Sequence, residues 1–203
     1  MSYRDFRLPD VLDKFKLVTR EARGLFADRP PVPPSAHLVE TLRLNVSLAL
    51  SMGTEKARSE FIIAPILAEL KHTLRPTIGL FSGVELMVDA ESGLTGTCDF
   101  LVSAGPEQFF VKAPVLAVVE AKNENMREGL GQCAAELVAA RLFNERAGNA
   151  IDAVYGAVTT GTNWRFMSLS GDTLAIDLDE YLIAEPERIL GILASMIAPT
   201  RAA

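Results

Sequence analysis

The spacing of apolar residues divides the chain into a helical first part and a strand-rich second part. In the first part, apolar residues recur every three or four positions over residues 8–27, 35–50 and 54–74, which is typical of helices that bury one face. The last two of these segments each begin at a Ser or Thr, and both residue types cap helix N-termini. Pro65 interrupts the third segment because it has no backbone N–H to bond the preceding turn.

After Pro76 the pattern changes to short runs rich in Val, Ile, Leu and Phe, which are typical of strands. The predicted strands cover residues 77–88, 96–103, 114–121, 154–160, 164–169 and 173–178. A turn is predicted at Asp89–Gly93, between the first two strands. Helical patterns cover residues 129–146 and 186–196. This order of helices and strands predicts an α/β fold with a mixed β-sheet flanked by helices.

Length and the proline-rich stretch Pro30–Pro34 suggest how the chain is organised. A chain of 203 residues is the usual size of one compact domain, and 49% hydrophobic residues are enough for a substantial core. The prolines forbid a helix and favour an extended connector. We therefore predict an N-terminal helical arm with its connector over residues 1–34, followed by one α/β domain over residues 35–203.

Composition argues against a membrane-spanning protein and against a secreted one, and we predict a cytoplasmic location. The longest apolar runs fall short of the roughly 20 residues that a membrane-spanning helix needs, so no membrane association is predicted. Residues 1–7 carry charges where a secretory signal would be apolar. The net charge of −6 argues against tight unassisted binding along nucleic acid, although it leaves room for a local basic groove.

The few cysteines and histidines also limit the possible metal chemistry. Cys98 and Cys133 are too few and too far apart for a disulfide framework, and we expect both to be buried and reduced. The two histidines, His37 and His72, are too few for a common His/Cys zinc site. A metal bound by this chain is therefore expected to have oxygen ligands.

Three charged residues stand in strand-like apolar surroundings. Asp99 lies in the second predicted strand, and Glu120 and Lys122 follow the apolar run of the third. Side chains two positions apart on a strand point to the same face, so Glu120 and Lys122 are expected to lie on the same face of the sheet. A buried carboxylate needs a partner, a metal or a proton. Two interpretations follow, namely a catalytic site and a purely structural ion-pair cluster.

The catalytic interpretation points to metal-assisted hydrolysis of a phosphodiester bond. Mg²⁺ takes oxygen ligands and is commonly held by one or two carboxylates, which Asp99 and Glu120 could provide. The metal would polarise the phosphate and lower the pKa of a bound water. Lys122 would then orient that water or stabilise developing negative charge.

These residues resemble the pattern of the PD-(D/E)XK nuclease superfamily, which has the restriction-endonuclease-like fold. Asp99 matches the first acid of the pattern, and Glu120-Ala121-Lys122 matches the acidic-x-Lys element on the next strand. Gln132 matches a helical glutamine of some branches, and Glu60 matches an upstream helical acid. Cys98 stands where the pattern has proline.

The resemblance implies a metal-dependent nuclease with Mg²⁺, or alternatively Mn²⁺, held by Asp99, Glu120 and the backbone carbonyl of Ala121. It implies a catalytic set of Asp99, Glu120, Lys122, Gln132 and Glu60, and DNA rather than RNA as the substrate. An acidic chain without an evident recognition domain suggests that a protein partner or a homodimer helps to find the DNA. Two alternatives stay open: a catalytically silent binding or assembly module on the same fold, and a small-molecule phosphohydrolase.

Basic and amide side chains close to these residues in sequence are candidates for phosphate contacts. They are Lys56, Arg58, Lys122, Asn123, Asn125 and Arg127. A charged face open to solvent is the other interpretation of the same set. The two interpretations differ in whether these side chains line one common groove.

Overall fold

The structure, a computed structural model that describes residues 1–74, 77–149 and 151–197, contains a mixed β-sheet between two layers of helices. The strands of the described residues are β1 (Val18–Ala22), β2 (Ile78–Asp89), β3 (Leu94–Ala104), β4 (Val115–Ala121), β5 (Val154–Thr159), β6 (Asn163–Ser170), β7 (Thr173–Asp177) and β8 (Tyr181–Leu182). The α-helices are α1 (Leu8–Phe15), α2 (Ala36–Met52), α3 (Glu55–Arg58), α4 (Ala64–Glu69), α5 (Met126–Arg146) and α6 (Pro186–Met196). The predicted α/β class with a mixed, helix-flanked sheet is confirmed.

The strand order across the sheet is β1-β7-β6-β5-β4-β3-β2, and β8 pairs with β6. The pairs β1–β7 and β4–β5 are parallel, and the remaining pairs are antiparallel. Helix α5 connects the parallel strands β4 and β5, because a parallel connection needs a crossover long enough to return to the same end of the sheet. Strands β4 and β5 lie in the interior of the sheet, and their side chains are almost all buried.

Two separate hydrophobic cores lie on the two faces of the sheet. One core joins Phe100, Val119 and Phe166 of the sheet to helices α2, α4 and α6. The other joins Leu101 and Val118 to α5, α1 and the N-terminal residues. Successive residues of a strand point to opposite faces, which explains why neighbours such as Val118 and Val119 enter different cores.

From residue 35 onward, the helices of the first part begin at the predicted N-caps. The Ser35 hydroxyl accepts from the Leu38 N–H at 3.2 Å, and the Thr54 hydroxyl accepts from the Ala57 N–H at 3.1 Å, so both predicted caps are confirmed. Pro65 lies in the first turn of α4, directly after a π-helical turn at Ser59–Ile63. A second π-helical turn covers Leu70–Leu74. The predicted interruption is present because Pro65 cannot donate to the preceding turn, and a π-helical turn accommodates that loss.

The prediction of helix over residues 8–27 is wrong for its second half. Helix α1 ends at Phe15, and Lys16 takes a left-handed conformation with φ of 56°. Residues Val18–Ala22 then form β1, which pairs in parallel with β7 from Val18–Thr173 to Ala22–Asp177. The apolar spacing of this short segment is compatible with a helix or a strand. It forms a strand because its backbone groups pair with those of β7.

Residues 1–34 pack against both helical layers. Tyr3 is fully buried and its hydroxyl donates to the Leu86 carbonyl at 2.6 Å. A Cβ at Gly131 of α5 would come within 2.4 Å of the Phe6 carbonyl oxygen, and one at Gly191 of α6 would come within 2.2 Å of the Pro30 carbonyl oxygen. Both glycines therefore allow the N-terminal backbone to approach a helix closely. The division of the chain at residue 34 stays a prediction.

Other local expectations agree with the structure. The Asp89 carboxylate accepts from the Ser92 N–H at 3.1 Å and Gly93 has φ of 79°, as expected for the predicted turn. Cys98 and Cys133 are both buried free thiols. In the described part of the chain, every helix is too short or too polar to cross a membrane.

Candidate functional site

Glu120 and Lys122 lie side by side at the end of β4 and face helix α5. The Lys122 ammonium donates to Glu120 Oε1 and, at 3.4 Å, to the side-chain carbonyl of Gln132 on α5. Glu120 is only 1% exposed, and the Lys122 side chain is 19% exposed. The predicted common orientation of Glu120 and Lys122 is therefore present, and Gln132 belongs to the same cluster.

Asp99 of β3 is fastened to the end of β4 by a backbone hydrogen bond. The pairing of β3 with β4 runs from Ser103 to Phe100, which lies opposite Val119. Beyond that point the Ala121 N–H donates to Asp99 Oδ2 at 2.8 Å. The carboxylate thus takes over as the acceptor where the ladder stops, which places Asp99 next to the residue between Glu120 and Lys122.

Glu136 is a member of the cluster that the sequence analysis missed. Its Oε1 accepts from Gln132 Nε2 at 3.1 Å, one helical turn away, and its side chain is fully buried. A hydrogen-bonded chain therefore runs from Glu120 through Lys122 and Gln132 to Glu136. The sequence feature that could have indicated it is the position of Glu136, four residues after Gln132 on an alanine-rich helix. An acid on a helix is ordinarily expected on an exposed polar face.

The cluster has more buried carboxyl oxygens than its internal partners satisfy. Within the described residues, Glu120 Oε2 and Glu136 Oε2 are buried without a hydrogen-bond partner. Burial and the nearby Asp99 raise the pKa of Glu120 to about 8, although Lys122 opposes the rise. Burial and the charge of Glu120 raise the pKa of Glu136 well above its usual range, against the hydrogen bond from Gln132. Two buried oxygens without partners are a high-energy arrangement that a cation or a proton would relieve.

Lys122 keeps its proton in this environment. Burial lowers the pKa of the ammonium, but contact with Glu120 outweighs burial, so the pKa lies above its usual value. Its stem also has a dedicated space, because a Cβ at Gly129 of α5 would come within 3.1 Å of Lys122 Cγ and 2.6 Å of Val158 Cγ1. A permanently charged ammonium is thus held between β4 and α5.

Glu60 lies apart from the buried cluster. It is exposed and forms an ion pair with Lys56 at 2.8 Å, one turn away. Both residues line a cavity of about 380 Å³ that Asp99 also lines, together with Glu55 and Ser82. Glu55, which the sequence analysis did not single out, contributes to raising the pKa of Glu120. The upstream helical segment therefore brings two acids to the Asp99 side of the cluster, and within the part of the chain that the structure describes neither acid is hydrogen-bonded to Asp99 or Glu120.

Ligands for a hard cation are present, although they are few. Within the described residues, no three His, Cys, Asp or Glu side chains are grouped so that they could hold a metal ion. Mg²⁺ commonly binds through only one or two carboxylates, with water completing its shell. Asp99, Glu120 and the Ala121 carbonyl are oxygen donors on neighbouring strand ends, and the unpartnered Glu120 oxygen is what a cation would satisfy. The donor chemistry fits such an ion.

A polar cavity of about 510 Å³ is lined in part by Asn123, the residue that follows Lys122 in the chain. Four of the six predicted phosphate-contacting residues line it: Arg58, Asn123, Asn125 and Arg127. Lys56 instead lines the Asp99 cavity, and Lys122 belongs to the buried cluster. The common groove of the sequence analysis is therefore present for these four residues.

A comparison with protein-family models finds no matching family, and a comparison with curated proteins finds no significant match.

Proposed function

We propose that the protein is a metal-dependent hydrolase of phosphodiester bonds, with DNA as the preferred substrate. The proposal includes membership of the PD-(D/E)XK superfamily and its restriction-endonuclease-like fold, as the sequence resemblance implies. The observation that carries it is the buried Glu120 carboxylate, which has one oxygen on Lys122 and one oxygen without a partner, beside Asp99.

Asp99, Glu120 and the Ala121 carbonyl would hold the metal, which is Mg²⁺ or Mn²⁺ in this proposal. When bound, the ion would polarise the phosphate and make a bound water more acidic. A raised pKa of about 8 for Glu120 supports this assignment, because a carboxylate destabilised by burial and by Asp99 gains most from a cation. Metal affinity is accordingly expected to rise with pH as Glu120 loses its proton.

Lys122 supplies a fixed positive charge in this proposal. Its ammonium is held between Glu120 and Gln132, and it retains some exposure to solvent. An ammonium at this position would stabilise negative charge that develops on a phosphate oxygen. Gln132 positions the ammonium, and its own amide is oriented by the hydrogen bond to Glu136. Glu60 reaches the Asp99 cavity only as an exposed ion pair, so a modest role is proposed for it.

The proposal is tested by incubating the protein with supercoiled, linear and single-stranded DNA and with RNA, in Mg²⁺, Mn²⁺ or EDTA. Glu120→Gln removes one charge and little volume, and we expect it to abolish metal-dependent cleavage. Glu40→Gln is the matched control, because Glu40 lies on α2 in an exposed pair with Arg43. Cleavage that persists in EDTA or in Glu120→Gln would contradict the proposal.

A non-catalytic binding or assembly module is the second candidate. The observation that favours it is the chain of internal contacts: Glu120, Gln132 and Glu136 are buried, and Lys122 already occupies one Glu120 oxygen. The two candidates differ in metal binding, which titration calorimetry with Mn²⁺ measures directly. A nuclease binds the ion and loses it in Asp99→Ala, whereas a module gives no metal-binding heat in either protein. In both cases a protein partner or a second copy of the chain remains part of the proposal.

A further inference from the structure

The cavity beside the cluster has the size and lining of a ligand site. We call it the Arg58 cavity. It measures about 510 Å³ and lies between the end of α3, the loop before α5 and the turn from β5 to β6. Its volume falls in the range of small-molecule sites, which is about 300–1,000 Å³. Three guanidinium groups line it, those of Arg58, Arg127 and Arg165.

Arg58 is held in place by two hydrogen bonds. Its Nε donates to the Asn123 side-chain oxygen at 3.2 Å, and Nη1 donates to the Thr160 carbonyl at 2.9 Å. Both acceptors are uncharged, so the positive charge of Arg58 is not neutralised by them. A guanidinium that is fixed before the ligand arrives loses little side-chain entropy on binding.

Arg165 adds an unsatisfied donor. One of its terminal nitrogens donates to Glu180 at 2.9 Å, and Glu180 also accepts from Asn163 at 2.8 Å. Within the described residues, the Arg165 Nε is buried and has no hydrogen-bond partner. The Arg165 side chain as a whole is 23% exposed and lines the cavity, so its guanidinium adds positive charge there.

Arg127 brings a third positive charge to the cavity mouth. It is exposed and belongs to the first turn of α5, whose 21 residues make the longest helix among the described residues. Asn125 caps that turn by accepting from the Arg127 N–H at 3.1 Å. The positive end of the α5 dipole therefore adds to the field of the three arginines.

The balance of charge in the cavity is positive. Glu124 and Glu180 are the acids that line it, and Glu180 is engaged by Arg165 and Asn163. Three arginines against two acids leave a local positive excess in a chain whose net charge is −6. Hydroxyl and amide groups of Thr160, Thr162 and Asn163 supply further polar groups.

We propose that the Arg58 cavity binds the phosphate group of a nucleotide. Planar guanidinium groups pair with phosphate oxygens through two parallel hydrogen bonds, which explains why arginines rather than lysines suit the site. The cavity is large enough for a nucleoside as well as its phosphate. The ligand is either a free nucleotide or the 5′-terminal nucleotide of a strand. This inference stands without the proposed metal.

The test measures binding in EDTA at low ionic strength, so that metal-dependent cleavage cannot contribute. The probes are a fluorescent trinucleotide with a 5′-phosphate, the same trinucleotide without it, and a nucleoside monophosphate as competitor. Arg127→Gln is the main variant because Arg127 is exposed, and Arg58→Gln is the second. Arg20→Gln on β1 makes the same change of charge at an exposed residue outside the cavity, and it is the control.

We expect the 5′-phosphate to tighten binding roughly tenfold, which corresponds to the lower end of the range for one hydrogen bond to a charged group. Arg127→Gln and Arg58→Gln should each lose most of that gain, and Arg20→Gln should keep it. Competition by the monophosphate at the same affinity as the trinucleotide identifies a free nucleotide, and weaker competition identifies a strand end. Binding that ignores the 5′-phosphate, or an equal loss in Arg20→Gln, would overturn the inference. Phosphate-dependent binding in this test, together with no cleavage in the separate Mg²⁺ and Mn²⁺ incubations, would instead count only against the proposed nuclease.

Discussion

Replacing Glu120 with glutamine should change how the stability of the protein depends on pH. The Glu120 carboxyl has a pKa of about 8 in the folded protein, against an ordinary value of 4.5, because burial and Asp99 disfavour its charged form. Between these values the folded state binds a proton that the unfolded state has released. The free energy of unfolding therefore falls as pH rises from about 4.5 through 8.

The size of this effect follows from the two pKa values. A pKa that rises from 4.5 to about 8 corresponds to about 5 kcal/mol over the whole range. Between pH 5 and pH 8.5, about 4 kcal/mol of that amount is lost. Glutamine keeps the volume of Glu120 and an oxygen for Lys122, but it carries no charge at any pH. The variant should therefore lack this part of the pH dependence.

Urea denaturation at pH 5, 6.5 and 8.5 in EDTA measures the difference. We expect the wild-type protein to lose about 4 kcal/mol more than Glu120→Gln between the first and last pH. Glu40→Gln is the control, since the exposed Glu40 bonds to Arg43, which lowers rather than raises its pKa. Parallel curves for the wild type and Glu120→Gln would falsify the assignment of a strained, buried carboxylate to this position.

Three further predictions concern the cluster and its supporting structure. Lys122→Met should lower the free energy of unfolding by about 3 kcal/mol at pH 8, because it leaves the buried Glu120 without its cation. Lys122→Arg should retain most of the stability. Equal stability of Lys122→Met and the wild type in urea would refute the pairing. Gly191→Ala should lower the free energy of unfolding by about 1–3 kcal/mol, since its Cβ would lie 2.2 Å from the Pro30 carbonyl oxygen, and a gain in thermal stability would contradict this packing. Ser35→Ala should lower the free energy of unfolding by about 1 kcal/mol more than the matched cap variant Thr54→Ala, because the Ser35 hydroxyl also donates to Glu69 at 2.9 Å. Equal losses of stability in thermal denaturation would mean that the bond to Glu69 adds nothing.

Local signals were sufficient for many of the individual elements. Helices α2 and α6 occupy the predicted segments, because their apolar spacing and their first residues depend on neighbours in the chain alone. The same holds for β4, whose continuous apolar run is typical of a central strand covered on both faces. The common orientation of Glu120 and Lys122 also follows from strand geometry.

Contacts between distant segments decided the remainder. Val18–Ala22 forms a strand because its backbone groups pair with those of β7, more than 150 residues later in the chain. The sequence of these five residues alone does not indicate that pairing. Glu136 is buried because α5 presses its face onto β4, although an acid on a helix is ordinarily exposed. Asp99 bonds to the Ala121 N–H only because the pairing of β3 with β4 stops at Phe100.

The sequence by itself therefore determined which segments form most helices and strands, and which strand carries the acid and the lysine. The tertiary structure alone decided that Glu136 joins them and how deeply the cluster is buried. The physical reason is range: caps, turns and side-chain periodicity act over a few residues, whereas desolvation and the pKa of Glu120 depend on every segment packed around it.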